Sequence, residues 1–294
     1  MNIEDLIIGF IIGDSFGLSR LNNYNNENLN IIDNKILNIK KGNYSFNTIN
    51  LLATIDSISN TKKIDYTDII NKLCLSLITN KYCFNKIYDL DKETYNILTY
   101  YSKKNNLNYN YNENDLIGTP LTRVIPIIIY NYYNIDTLDT LIPVINITNI
   151  NEEVLLGCFI YYKYILNLLE GYDKYKALKI DIPNYFSIKN KIKYKNLLKN
   201  NIFYKDIVFD NNISNILKII FYVILNSDNN KDVLMMLNNL NGKINLYGAL
   251  IMPIAIILYG KDEYINNLYK DIKNKKEIKY YINKFRRMFK WKNI

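Results

Sequence analysis

Residues 240–260 read LNGKINLYGALIMPIAIILYG and contain the longest apolar run of the chain. From Leu246 to Tyr259 the run has no charged residue and no polar face, which predicts a helix buried inside the protein. Gly248 would let a neighbouring helix approach closely. Asn245 stands where an N-cap belongs, so we expect its side-chain oxygen to accept hydrogen bonds from the first turn. The positive end of this helix, at a Gly- and Asn-rich turn, is a natural place for a binding site.

The N-terminal segment predicts a second helix, one face of which is lined with glycines. In IEDLIIGFIIGDSFG, Gly9, Gly13 and Gly17 are spaced four residues apart and share one helical face, which forms a groove where another helix can lie. Asp14 lies beside that groove, either as a site residue or as a carboxylate that caps a helix.

Further segments show apolar residues at helical spacing, and none shows the alternation of a run of strands. We therefore predict an all-α fold. The predicted helices begin near Ile49, cover much of 66–101, follow the turn at Pro120, and occupy 147–171, 215–226 and 233–240. Arg123 is either a buried charge or a surface residue whose stem lies on apolar side chains.

Composition excludes several kinds of chemistry. The 294 residues include no His, which rules out Ser-His-Asp and Cys-His catalysis and His-bound zinc. Cys74, Cys83 and Cys158 form no CxxC pair and are predicted to be core residues of a protein in a reducing compartment. With 37 Lys and Arg against 28 Asp and Glu, the net charge of +9 favours anionic partners in general. The chain is rich in Asn, Ile, Lys and Tyr, all of which have A/T-rich codons. Part of the excess of lysine is therefore attributed to an A/T-rich genome, and the positive charge is weaker evidence for an anionic partner.

No apolar run is long enough to span a bilayer, and the N-terminus does not follow the order of a signal peptide. We predict an intracellular, cytoplasmic protein without a membrane span.

Several segments, in order and spacing, resemble the ADP-ribosylglycohydrolases, including the dinitrogenase-reductase-activating glycohydrolases. IIGFIIGDSFG resembles the GxxxGDxxG start of that family, KGNYSFNT its G-x-W-TDDT turn, and GTPLTRVIPI its segment around Met-Arg and Pro. ITNINEEV resembles a helix start with Thr-His, and NGKINLYGALIMPIAIILYG the segment built around GGDADT. The resemblance runs from about Asp5 to Asp262 and implies a single-domain orthogonal helical bundle over residues 1–265. It also implies a cleft that binds two Mg²⁺ ions and ADP-ribose in active relatives.

The departures from the family pattern fall on the implied metal ligands. The TDDT position is occupied by SFNT at 45–48 and the GDADT position by GKINL at 242–246, so both motifs lose every carboxylate. Because Mg²⁺ binds through carboxylates, we predict no metal site and no cofactor. We assign no catalytic residue; Asp14 is the one carboxylate that matches the family pattern. The candidate ligand-binding residues are Asp14, Ser45, Asn47, Thr48, Arg123, Asn149, Lys243 and Asn245.

Three functions remain open. The preferred one is a pseudoenzyme kept for binding or for structure, in which Lys243 and the helix start at Asn245 hold ADP-ribose or another nucleotide-like anion. Lys243 is as readily explained as a surface or ion-paired lysine, with Asp14 as a possible partner. The second is an ADP-ribosyl hydrolase with altered metal ligands. The third uses a basic amphipathic helix at 278–294, inside the C-terminal extension 266–294, to bind nucleic acid, a membrane surface or a protein; the alternative is that this helix packs on its own domain.

Overall fold

The fold is organised around two antiparallel helices, α1 (Ile3–Leu18) and α11 (Ile244–Tyr259). The computed structural model describes residues 3–22, 28–106, 108–134, 138–199 and 202–289. Within these ranges the chain forms thirteen α-helices and no β-sheet, which confirms the all-α prediction. The remaining helices are α2 (Phe46–Thr61), α3 (Tyr66–Thr79), α4 (Lys92–Lys104), α5 (Val124–Asn134), α6 (Leu141–Ile145), α7 (Glu152–Leu169), α8 (Ile188–Leu197), α9 (Ile213–Leu225), α10 (Asn230–Asn238), α12 (Glu263–Asp271) and α13 (Lys275–Arg287).

The glycine face of α1 packs directly on α11, as the spacing predicts. A Cβ atom built on Gly13 would lie 1.9 Å from the carbonyl oxygen of Gly248, and one on Gly17 would lie 2.3 Å from the backbone nitrogen of Asn245. Atoms cannot approach this closely, so the two backbones pack together only because side chains are absent. This contact places Asp14, next to Gly13, beside the start of α11.

Two details of the predicted core helix are wrong. It begins at Ile244 rather than Leu246, and the N-cap position is held by Lys243, whose side chain makes no capping bond. Asn245 lies in the first turn and donates to neighbouring side chains instead of accepting from the helix. The sequence also predicts that this helix is the most buried element, which is wrong: α11 is buried from Ile244 to Ile256, but α1 and α2 are buried to a similar extent.

The amphipathic C-terminal helix α13 packs its apolar face on the domain. Ile278, Tyr281, Ile282 and Phe285 are buried and belong to the main hydrophobic cluster. This agrees with packing on the parent domain and leaves no apolar stripe on α13 for a partner; residues 290–294 of the predicted binding segment lie outside the described residues. The domain boundary at residue 265 stays a prediction.

A buried carboxylate, Asp56 on α2, ties α13 to the bundle. It accepts a hydrogen bond from the Tyr82 hydroxyl at 2.8 Å and lies 3.0 Å from Lys284 Nζ, 3.4 Å from Lys72 Nζ and 3.3 Å from Lys81 Nζ. Burial alone would raise the pKa of Asp56, but the Tyr82 and Lys284 hydrogen bonds and the nearby ammonium charges hold it at about 2. The ionised carboxylate is therefore a counter-ion shared by three lysines, one of which, Lys72, also pairs with Asp68.

We expect Asp56→Asn to lower the free energy of unfolding by about 2–3 kcal/mol at pH 7, because three ammonium groups lose their shared counter-ion. Since the folded-state pKa is depressed, this contribution is fully present above the unfolded pKa near 4 and is lost as pH falls towards 2. Urea unfolding of both proteins at several pH values measures it.

The control is Asp228→Asn, which breaks the pair between Lys174 and an Asp228 side chain that is 91% exposed. Its effect should stay below about 1 kcal/mol. Equal effects of the two substitutions would contradict the role given to Asp56.

Candidate functional site

Asp14 lies fully buried at the N-terminus of α2 and accepts hydrogen bonds from three residues there. Its Oδ2 atom accepts from the backbone nitrogens of Ser45 at 2.9 Å and Thr48 at 3.1 Å, and from Thr48 Oγ1 at 2.6 Å. Its Oδ1 atom accepts from Ser45 Oγ at 2.6 Å and from Asn47 Nδ2 at 3.3 Å. Asp14 is thus a capping carboxylate supplied by another helix, and both of its oxygens are occupied.

The local sequence explains why α2 begins here. Ser45 is the N-cap in an extended conformation, and its Oγ accepts from the backbone nitrogen of Asn47 at 3.2 Å. The negative charge of Asp14 also lies at the positive end of the α2 dipole. Phe46, which stands where the family has an aspartate, is 1% exposed and belongs to the hydrophobic core.

Burial has the largest effect on the pKa of the Asp14 carboxyl group. It raises the pKa of the carboxyl to about 6, and the hydrogen bonds from Ser45, Thr48 and Asn47 oppose that rise without cancelling it. The hydroxyls of Ser45 and Thr48 can each accept as well as donate, so the protonated form can also be bonded.

Lys243 and Asn245 come together on a carboxylate that the sequence did not single out, Asp89. Lys243 Nζ forms an ion pair with Asp89 Oδ1, and Asn245 Nδ2 donates to Asp89 Oδ2 at 2.8 Å. Asn245 Nδ2 also lies 3.2 Å from Ser45 Oγ. The two motif segments therefore meet in space, as the resemblance implies, and the partner of Lys243 is Asp89 rather than Asp14.

Arg123 and Asn149 belong to a different cluster. Arg123 is fully buried and donates from Nη2 to Thr148 Oγ1 at 2.7 Å and from Nε to the carbonyl of Val144 at 3.2 Å. Burial lowers its pKa to about 10. Asn149 donates to the carbonyl of Asp115 at 3.1 Å and accepts from the backbone of Asn151. Both residues hold loops in place, which answers the open question about Arg123 in favour of a buried charge.

A cleft of about 700 Å³ opens beside the Lys243–Asp89 pair. Leu18, Leu21, Leu37, Ile39, Ile87, Tyr88 and Phe209 give it apolar walls, and Lys86, Asp89, Asp210 and Lys243 are its charged groups. Lys86 Nζ lies 5.0 Å from the centre of the Tyr88 ring, and no carboxylate pairs with it among the described residues. Lys86 is thus the cleft cation that is open to a ligand.

These residues do not fit the magnesium site that the resemblance implies. The Asp14 oxygens accept five hydrogen bonds from the protein, Asp89 is neutralised by Lys243, and Asn47 offers an amide without charge. In the part of the chain that the structure describes, no group of three or more Asp, Glu, Cys or His side chains is arranged to hold a metal ion.

The helical fold is similar to that of a solved structure. A solved structure described as an ADP-ribosylglycohydrolase-related protein complex superposes with a TM-score of 0.77, over 98% of this chain and 99% of that chain, at 14% sequence identity. At this identity the match shows a common fold, of the ADP-ribosylglycohydrolase type. No protein-family model and no curated protein matches the sequence. No helix in the described ranges is both long and apolar enough to cross a membrane.

Sequence reasoning missed Asp89 and Lys86. Asp89 lies just before Asp91, the N-cap of α4, so its local pattern is that of a helix start. It reaches the site because residue 89 has a positive φ of 53° and because the backbone nitrogen of Phe46 donates to the Tyr88 carbonyl at 2.8 Å. The one available signal was the unusual Lys243, which requires a counter-ion.

Proposed function

We propose that this protein is a non-hydrolytic form of the ADP-ribosylglycohydrolase fold that binds a nucleotide-like anion, with ADP-ribose as the first candidate. One observation supports this proposal. Where the segments at 45–48 and 242–246 meet, the carboxylates of Asp14 and Asp89 are bonded to groups of the protein itself. Asp14 accepts five hydrogen bonds and Asp89 is paired with Lys243 and Asn245, so neither of these two carboxylates is free to orient a metal or a water molecule for hydrolysis.

The cleft supports a binding role. It combines apolar and aromatic walls with few charged groups, which is typical of small-molecule sites. Lys243 is paired with Asp89, so we assign the contact with a ligand phosphate to Lys86 rather than to Lys243.

Calorimetric titration with ADP-ribose tests the binding role. We expect the affinity for ADP-ribose to be the same in Mg²⁺ and in EDTA. In Lys86→Ala the affinity should be about tenfold lower, because this variant loses one charge-assisted contact. Lys103→Ala, which removes an exposed lysine of α4, is the control and should bind normally. Absence of binding, or binding that requires Mg²⁺, would contradict the proposal.

The loss of hydrolysis is tested separately. No release of ADP-ribose from modified arginine or serine above background is expected. Turnover that depends on Mg²⁺ and disappears in Asp14→Asn would establish instead the alternative, a hydrolase with altered ligands.

A thermal melt tests the emptied metal site without any substrate. A bound ion at a hundredfold excess over its Kd would stabilise the protein by about 2.7 kcal/mol, or several degrees in Tm. We expect equal Tm values in millimolar Mg²⁺ and in EDTA. The matched variant combines Asn47→Asp, Lys243→Asp and Asn245→Asp and keeps Phe46 in the core; it should melt lower in EDTA and respond to Mg²⁺. If Mg²⁺ raises the Tm of the unmodified protein, the hypothesis that the metal site has been lost is wrong.

A further inference from the structure

Helix α8 carries an apolar stripe, formed by Ile188 and Ile192, that none of the described residues covers. Ile188 and Ile192, four residues apart, are 73% and 56% exposed, and Tyr185 just before the helix is 58% exposed. The opposite face holds the helix on the domain through Tyr194 and Leu197, which are buried. The two isoleucines therefore project away from the protein on a side of the helix that its own packing fixes.

Lysines flank this stripe on both sides. Lys191 and Lys195 follow one edge and Lys189 the other, and the segment from Ile188 to Lys199 contains no acidic residue. Of the α8 lysines, Lys193 is the one that forms a salt bridge in the described structure, with Glu153. An exposed aliphatic stripe with a cationic border is typical of elements that lie in the surface of an anionic bilayer.

Helices α8 and α13 differ in whether their apolar side chains are exposed. Both helices are basic, but Ile278, Ile282 and Phe285 of α13 are buried in the core, whereas Ile188 and Ile192 of α8 face solvent. Among the described residues, exposed aliphatic side chains with a basic border are therefore found on α8 and not on α13.

We propose that α8, with Ile188 and Ile192 inserted and Lys189, Lys191 and Lys195 at the headgroups, binds the surface of an anionic lipid bilayer. The aliphatic side chains fit acyl chains and cannot stack on bases, which is how single-stranded nucleic acid is usually held. Tyr185 is suited to the interface, where its ring and hydroxyl face different surroundings. This inference is independent of the ligand in the cleft.

Vesicle flotation of the full chain tests the proposal. We expect binding to phosphatidylcholine vesicles with about one third phosphatidylserine, no binding to pure phosphatidylcholine, and weakening with salt. Ile188→Ser with Ile192→Ser should abolish binding. Lys189→Gln, Lys191→Gln and Lys195→Gln together should weaken it about fivefold for each lysine.

Matched controls separate this surface from general effects of charge and exposure. Ile78→Ser removes an isoleucine of α3 that is also 73% exposed, and Lys92→Gln, Lys103→Gln and Lys104→Gln remove three exposed lysines of α4. Both should bind vesicles nearly as the unmodified protein does, and thermal melts should show that every variant is folded.

Three outcomes would overturn the proposal: no binding to anionic vesicles, equal losses in the α8 and control variants, or a dimer that Ile188→Ser with Ile192→Ser converts to a monomer. The last would show that a second copy of the chain covers the stripe.

Discussion

Gly13→Ala is expected to destabilise the protein by at least about 3 kcal/mol, despite the higher helix propensity of alanine. The added methyl group would stand 1.9 Å from the carbonyl oxygen of Gly248, a backbone atom that cannot turn aside. Helices α1 and α11 would have to separate, and the apolar side chains packed around them would lose contact. Urea unfolding, or loss of soluble protein, measures the effect.

Gly9→Ala is the matched control, one turn earlier on the same face. There the added methyl group meets the side-chain Cδ1 of Ile256 at 2.7 Å, which can rotate away, and the carbonyl oxygen of Met252 at 3.1 Å, which requires only a small shift of the backbone. The gain in helix propensity, about 1 kcal/mol, should leave this variant close to neutral. If both substitutions cost the same, the close backbone contact at Gly13 does not control stability.

Asp14→Ala is the second substitution with a large expected effect, a loss of about 3–5 kcal/mol. It removes the acceptor of five hydrogen bonds and leaves the buried backbone nitrogens of Ser45 and Thr48 without a partner. The same urea experiment measures it. Asp14→Asn should cost only about 1 kcal/mol, because an amide oxygen can still accept from both nitrogens.

Because Asp14→Asn has no titratable group at this position, a comparison of its stability with that of the unmodified protein at several pH values measures the contribution of Asp14 ionisation. The folded-state pKa, about 6, lies above the unfolded value, so the folded protein holds this proton more tightly. The stability that Asp14 adds is present below about pH 4 and is lost as pH rises through 6. Relative to Asp14→Asn, the unmodified protein should lose about 2–3 kcal/mol across that range. A constant difference between the two proteins would show that the pKa of Asp14 is not raised.

The sequence was sufficient for those features that depend on spacing along one helix. Gly9, Gly13 and Gly17 predicted a groove for another helix, which is α11 in the structure, and the resemblance predicted that the turns around Ser45 and Asn245 converge. The first prediction follows from helical periodicity. The second follows from the resemblance of the motif segments to those of the ADP-ribosylglycohydrolases.

The sequence was insufficient where a side chain had a choice of partners. Asn245 could accept from its own helix or donate across the site, and it donates because Asp89 and Ser45 lie within reach. The partner of Lys243 is 154 residues away in the chain, brought there by a backbone turn with positive φ. In the same way, the exposure of Ile188 depends on which face of α8 the domain covers.

The Lys243–Asp89 pair also limits how the protein could evolve. An aspartate at position 243 alone would set two carboxylates against each other, where the present lysine and Asp89 attract. An aspartate at 245 alone would replace the amide that donates to Asp89 with a second acceptor. Each of these two steps towards a cluster of metal ligands therefore passes through a less stable intermediate, and the benefit of a bound ion comes only after several steps together. Selection for stability alone would keep such a lineage from acquiring metal-dependent chemistry by gradual substitution.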